Sequence, residues 1–296
     1  MENIDKWKKA GKIAGEALEY GRSLIIKGAS YLEVTEKVEA KIRELGGEPA
    51  FPAQMSLNEV AAHFTVDPEQ DINLDGHLVC LDVGVHVDGC IGDTACTVDL
   101  SGNHAQLVEA SREALNNAIK AIESGERKLG KIGGIIDETI QGYGFRPIKN
   151  LSGHGLGEYD VHTTPSIPNY DTGDEDELEN DSIFAIEPFA TDGSGIVYEV
   201  ESSNIFSQVS NNPVRSAISR EILREIVKYE GLPFTTRWLA KKFPLFKVNF
   251  ALKEMLKAGT IRSYPALPDK NKGLVSQAEH TLYIDKDGKV EVLTRI

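Results

Sequence analysis

The residues in this sequence best suited to chemistry are acids placed where acids are costly. Glu187 interrupts the run IFAIEPFA and Glu279 the run SQAEHTLYI, both otherwise apolar and strand-like. A carboxylate among Ile, Phe, Ala, Leu and Tyr is desolvated, which is expensive unless it is paired or holds a cation. Taken singly, either glutamate could instead face out of its sheet. A second pair lies in LVCLDVGVHVDGCIGDTACTVDL, where two β-branched, alternating runs flank Asp88-Gly89, the dipeptide preferred in a two-residue type I′ turn. That turn sets a register in which Val87 opposes Cys90, His86 opposes Ile91 and Gly84 opposes Asp93. Asp82 and Asp93 then share one face as diagonal neighbours, roughly 7 Å apart at the backbone. Such a pair is either exposed on a strand surface, or buried with a shared proton, a basic partner or a metal. His154 and His162, in the glycine-rich NLSGHGLGEYDVH, add two candidate imidazole ligands.

These residues need elements to carry them. Apolar positions at three- and four-residue spacing predict helices from about Ile4 to Ile26 and Tyr31 to Leu45, then from Asn103 to Glu123 and Lys128 to Tyr143, with glycines at their ends. Strands are expected between and after them, ending with SQAEHTLYID and KVEVLTRI. This grouping predicts an α+β fold, without the regular alternation of a doubly wound sheet. Residues 203–273 read as an inserted, mostly helical subdomain, so that 1–202 and 274–296 form one domain. The three cysteines, Cys80, Cys90 and Cys96, are too unevenly spaced for a zinc site and read as reduced, small hydrophobes.

Charge and hydropathy exclude some functions. A formal charge of −14 argues against nucleic acid as the main partner. The insert departs from this, with 13 Lys/Arg against 5 Asp/Glu, a surplus of +8. No apolar run approaches the ~18 residues of a membrane span, and the N-terminus is amphipathic without a signal-peptide core, so a cytoplasmic protein is expected.

Asp82, Asp93, His154, Glu187 and Glu279 together resemble the ligand set of the pita-bread metallopeptidases, which include methionine aminopeptidases and prolidase-like enzymes. FPAQMSLNEVAAHFT, LDVGVHVDGCIGDTA, NLSGHGLGEYDVH, FAIEPFAT, LPFTTRWL and AEHT look like the type 2 methionine aminopeptidases in particular. The resemblance implies a pita-bread fold and a metalloaminopeptidase that removes the N-terminal methionine of nascent polypeptides. It implies that Asp82 chelates one metal, Asp93 and Glu279 bridge two, and His154 with Glu187 hold the other. Four carboxylates balance two dications, and oxygen-rich ligation with one imidazole suits manganese, iron or cobalt, with zinc admissible. By the same resemblance Glu187 is the general acid/base, and His63 and His162 contact the substrate. Phe51, Val161 and Phe189 fall where the family lines its methionine pocket. Thr163-Thr164 stand where the family commonly has Ala-Gly.

Two other readings fit the same shell: a binding protein that has lost catalysis, which would be expected to have lost ligands, and a prolidase-like dipeptidase acting on X-Pro bonds. The basic insert resembles a winged-helix unit. It is expected to face the ribosome through residues such as Arg237, Lys241 and Lys242, with a plain solvated helical surface as the alternative. No specific DNA partner is expected, and the protein is expected to be a monomer.

Overall fold

Asp88 and Gly89 both take left-handed backbone conformations, with φ of 49° and 88°, so the turn is the type I′ connection that the dipeptide favours. In the computed structural model, which describes residues 3–296, the hairpin register is the expected one: Val87 faces Cys90, Gly84 faces Asp93 and Asp82 faces Ala95.

Helices α1 (Ile4–Leu24) and α2 (Tyr31–Glu44) precede the short strands β1 (Glu48–Pro49) and β2 (Gln54–Leu57) and the hairpin β3 (Leu78–Val87) and β4 (Cys90–Asp99). A similar order recurs in α3 (Ala105–Glu123), α4 (Leu129–Gly142), β5 (Arg146–Pro147) and the hairpin β6 (Ser152–Gly157) and β7 (Asp160–Pro168). Next come β8 (Ser182–Ile186) and β9 (Phe189–Thr191). Then follow β10 (Ile205–Gln208), α5 (Ala217–Ile226), β11 (Phe234–Thr235), α6 (Thr236–Ala240), α7 (Leu245–Ala258) and β12 (Ile261–Ser263). Strands β13 (Val275–Gln277), β14 (His280–Ile284) and β15 (Val290–Val292) close the chain.

Local chemistry explains where these elements start. Ser30 caps α2 by accepting from the Glu33 N–H at 3.0 Å. Asp99 gathers the amides of Ser101, Gly102 and His104 into a turn, so α3 begins at Ala105 and not at the expected Asn103.

Strand β3 pairs with β4 along its length and with β2 and β1 at successive positions. A five-stranded sheet runs β15-β14-β8-β6-β7, and a three-stranded one β13-β9-β5. Backbone bonds between Ala95 and Glu279 join β4 to the segment entering β14. Side chains alternate along a strand, so each sheet offers two faces. Val79, Leu81, Val83 and Val85 pack with α1 and α2, while Phe184, Ile186, Leu282 and Ile284 pack with α3 and α4. The residues between them, Asp82 on β3 and Ala185 on β8, face away from the helices. This is the α+β, pita-bread layout expected, with both helix pairs behind the sheets.

A separate apolar cluster ties α5, α6 and α7 to the small sheet β11-β10-β12 through Ile222, Phe234, Leu239, Leu252 and Met255. Here one expectation is corrected. Arg237 is no surface cation: it is 3% exposed and forms two hydrogen bonds to Glu39 of α2, at 2.6 and 3.0 Å. Trp238 Nε1 donates to the same carboxylate at 2.9 Å. Arg237 followed by two lysines looks like a basic patch in sequence, but a partner far away in the chain pulls its guanidinium inward. Lys241 and Lys242 remain exposed, paired with Glu36 and Glu225. Cys80, Cys90 and Cys96 are free thiols, the first two buried. No described helix is long and apolar enough to cross a membrane.

Candidate metal centre

Five neighbouring strand segments each present one ligand to the same concave face. Asp82 and Glu279 both lie opposite Ala95, one on either side of it, and Asp93 is two residues further along β4. His280 faces Ile186, and Gln277 faces Phe189. Continuing that register puts Glu187 opposite Glu279. On the next strand His154 faces Ala185, two residues from Glu187. The five residues therefore form one row, because alternation along each strand returns the same face at every second position.

Their atoms converge accordingly. Donor atoms of Asp93, His154 and Glu279 lie within 4.8 Å of one another, and His154 Nε2 is 3.5 Å from Glu187 Oε1 and 4.0 Å from Asp93 Oδ2. His154 Nδ1 sits 3.2 Å from the Gly155 carbonyl, an acceptor, so Nδ1 carries the proton and the Nε2 lone pair faces the acids. Burial lowers the His154 pKa to about 3, which keeps the imidazole neutral.

The carboxylates are in a worse position. Burial raises the pKa of Asp82 to about 7. Burial first, and then repulsion from their acidic neighbours, raise Asp93, Glu187 and Glu279 well above the usual carboxylate range. No Lys or Arg pairs with any of the four among the described residues. Asp82 Oδ1 and Asp93 Oδ1 are buried without a hydrogen-bond partner. Facing acids in a low-dielectric pocket, with unsatisfied oxygens and a preset imidazole lone pair, fit the requirements of divalent cations.

Above this floor lies a cavity of about 210 Å³. Phe51, Val161 and Phe189 line it, as do His63 and His162, so the five expected ligands and the five expected substrate contacts border one space. Phe51 gets there because Gly84 has no side chain: a Cβ at that position would stand 2.1 Å from Phe51 Cε1. His63 adopts φ of 62°, uncommon for a residue with a side chain. The loop before it is held to the segment after β12 by bonds from Ala61 N to Leu267 O and from Leu267 N to Ala62 O. Burial, then the neighbouring His162, lowers the His63 pKa to about 4. His162 stands at the mouth with its ring centroid 4.4 Å from that of His154. Desolvation, then the Arg262 charge, lowers its pKa as well. At Thr163-Thr164 strand β7 bulges: Gly155 of β6 faces Thr163 while His154 faces Ser166, so Thr164 and Pro165 drop out of the pairing.

His280 points away from the acids, its Nδ1 2.8 Å from Thr294 Oγ1, as expected of the residue after Glu279. Sequence reasoning did not single out Gln277, Thr281 or Tyr264. Gln277 donates to Glu187 Oε2 at 3.4 Å, Thr281 grips the backbone of Asp93, and Tyr264 walls the cavity. Gln277 and Thr281 each lie two residues from Glu279, so strand alternation was a usable signal for both. Tyr264 carries no such signal.

Comparison with known proteins agrees with this geometry. The description "Metallopeptidase family M24" matches residues 5–213. A methionine aminopeptidase of Methanocaldococcus jannaschii is 44% identical over 299 residues, covering 100% of this chain and 99% of that protein. One from Thermococcus onnurineus is 45% identical over 291 residues, covering 97% and 98%. The crystal structure of a Thermotoga maritima methionine aminopeptidase superimposes with a TM-score of 0.71 at 26% identity, covering 99% of this chain and 96% of that one.

Proposed function

The chain belongs to metallopeptidase family M24, and we propose that within it the protein is a type 2 methionine aminopeptidase, removing the N-terminal methionine of newly made polypeptides. The observation that carries this reading is the row of four desolvated carboxylates and one neutral imidazole beneath an apolar cavity. Full-length likeness to archaeal methionine aminopeptidases supports the substrate. The type 2 assignment is supported by the helical segment between Glu187 and Glu279, taken as an inserted subdomain of residues 203–273 within a catalytic domain of residues 1–202 and 274–296.

The centre would hold two divalent cations, manganese, iron or cobalt, with zinc admissible. Asp82 would ligate one, Asp93 and Glu279 both, and His154 with Glu187 the other. Bound there, such cations supply Lewis acidity and make water an effective nucleophile at neutral pH. Phe51, Val161 and Phe189 hold the methionine side chain in a dry slot and so place the first peptide bond over the acids. Glu187 takes the proton from the attacking water and delivers it to the leaving amine, with Gln277 fixing its second oxygen. His63 contacts the scissile peptide and steadies the tetrahedral intermediate, and His162 contacts the same peptide from the mouth.

This activity belongs in the cytoplasm, on nascent chains, without specific DNA and as a monomer. A ribosome contact through the insert would use exposed lysines such as Lys253 and Lys257 of α7, not the buried Arg237.

The test is release of free amino acid, measured by mass spectrometry, from Met-Ala-Ser and from Ala-Pro. Metal-loaded protein is expected to free methionine from the first and to leave the second intact, and chelated protein to cleave neither. Cleavage of Ala-Pro alone would replace this reading with a prolidase-like one. Cleavage of neither, with metal bound, would leave a binding protein.

A further inference from the structure

The cavity wall facing the acids comes partly from the segment between β9 and β13, through Ile205, Pro233 and Tyr264. The Tyr264 ring packs edge-on to His63, with centroids 5.5 Å apart. Arg262 lies over that same ring, its guanidinium carbon 4.8 Å from the centroid, and its Nε donates to Tyr264 Oη at 2.7 Å. Tyr264 Oη is in turn 3.1 Å from Ser207 Oγ. The guanidinium is thus stacked and hydrogen-bonded in place, yet exposed. Four other cations of this segment are paired, Arg237 with Glu39, Lys241 with Glu36, and Lys228 and Lys242 with Glu225, while others such as Lys253 and Lys257 of α7 lie exposed on its helices. Arg262 makes no ion pair among the described residues.

Legs of 5.5 and 4.8 Å put this guanidinium no more than about 10 Å from the His63 ring. An extended peptide advances roughly 3.3 Å per residue, so a chain that left the first peptide bond along this wall would reach Arg262 within about three residues.

On the methionine aminopeptidase reading, we infer that Arg262 is a specificity-determining residue that favours substrates with acidic side chains at about positions three to five. A side chain already held by stacking gives up little further freedom on pairing, so a carboxylate there meets a prepared partner.

The test compares kcat/KM for Met-Ala-Ala-Glu-Glu and Met-Ala-Ala-Lys-Lys, using manganese-loaded full-length protein. Their ratio cancels any general effect of a substitution on turnover. For a screened surface pair the acidic peptide should be preferred about three- to fivefold at low salt, and less at high salt. Arg262→Gln should bring the ratio near one, Arg262→Glu should invert it, and Arg262→Lys should keep part of it. The same ratio in the unmodified protein and in Arg262→Glu, with methionine still released, overturns this inference alone. No methionine from either peptide overturns the methionine aminopeptidase reading beneath it.

Discussion

Thr281 holds Asp93 by both of its backbone groups, its Oγ1 accepting from the Asp93 N–H at 2.8 Å and donating to the Asp93 carbonyl at 2.7 Å. The two residues are 188 positions apart, and both are buried. This clamp sets where the Asp93 carboxylate emerges into the row of acids. Thr281→Val keeps the shape and removes both bonds. It should cost about 1–3 kcal/mol of stability and weaken cation binding by roughly tenfold or more. Thermal melts and metal titration would check this, with Thr281→Ser expected to restore most of the loss.

Gly84→Ala should disturb the methionine slot. The added methyl group meets the Phe51 ring at 2.1–2.6 Å, so the aromatic ring must move. Overpacking of this kind costs about 1–3 kcal/mol. The displaced wall should raise KM for methionyl peptides more than it lowers kcat. An unchanged KM would show that Phe51 does not shape substrate binding.

Asp93→Ala and Glu187→Gln should both abolish turnover, for different reasons. Asp93→Ala removes a ligand expected to reach both cations, so bound metal should fall sharply. Glu187→Gln is expected to keep at least one cation while losing the proton carrier, a step worth about a hundredfold or more in rate. Elemental analysis alongside the peptide assay separates the two outcomes, and near-normal rates in both variants would overturn the site.

Metal dependence of stability should grow with pH. Without cations, the four carboxylates have folded-state pKa values above their unfolded ones, about 7 for Asp82. Their contribution is full below the ordinary carboxylate pKa and is lost as pH rises through the folded values. Buried neutral histidines run the other way: His154, lowered to about 3, and His63 and His280, lowered to about 4, contribute fully above their ordinary 6.5 and lose it as pH falls. Above that point only the carboxylate loss remains. The melting temperature of chelated protein should therefore fall from pH 6.5 to 8, while the increment from added manganese rises. An increment that shrinks with pH would contradict the assignment.

Glu39→Gln should loosen the cavity wall from a distance. It leaves the Arg237 guanidinium buried without its anion, a loss of about 3–5 kcal/mol for a pair of this kind. Because α6 is tied to the same region as Tyr264 and Pro233, KM for peptides should rise as well. Paired replacement of Glu39 and Arg237 by leucine and methionine should recover much of the stability, which urea unfolding would measure.

The chain's own pattern determined a good deal of this. Asp88-Gly89 dictates a two-residue turn, the turn dictates the hairpin register, and alternation then places Asp82 and Asp93 on one face. Glutamates stranded in IFAIEPFA and SQAEHTLYI were visible as anomalies for the same local reason: a strand repeats every two residues, and its pattern needs only neighbours to be read. What local pattern could not supply was which strands lie side by side. Only the assembled sheets decide that Glu279 flanks Ala95, that Thr281 grips Asp93, and that Gln277 steadies Glu187. The fate of Arg237 was likewise set by Glu39, 198 positions away. A guanidinium's preference for water or for a buried carboxylate depends on what folding brings beside it, and no periodicity in sequence records that partner.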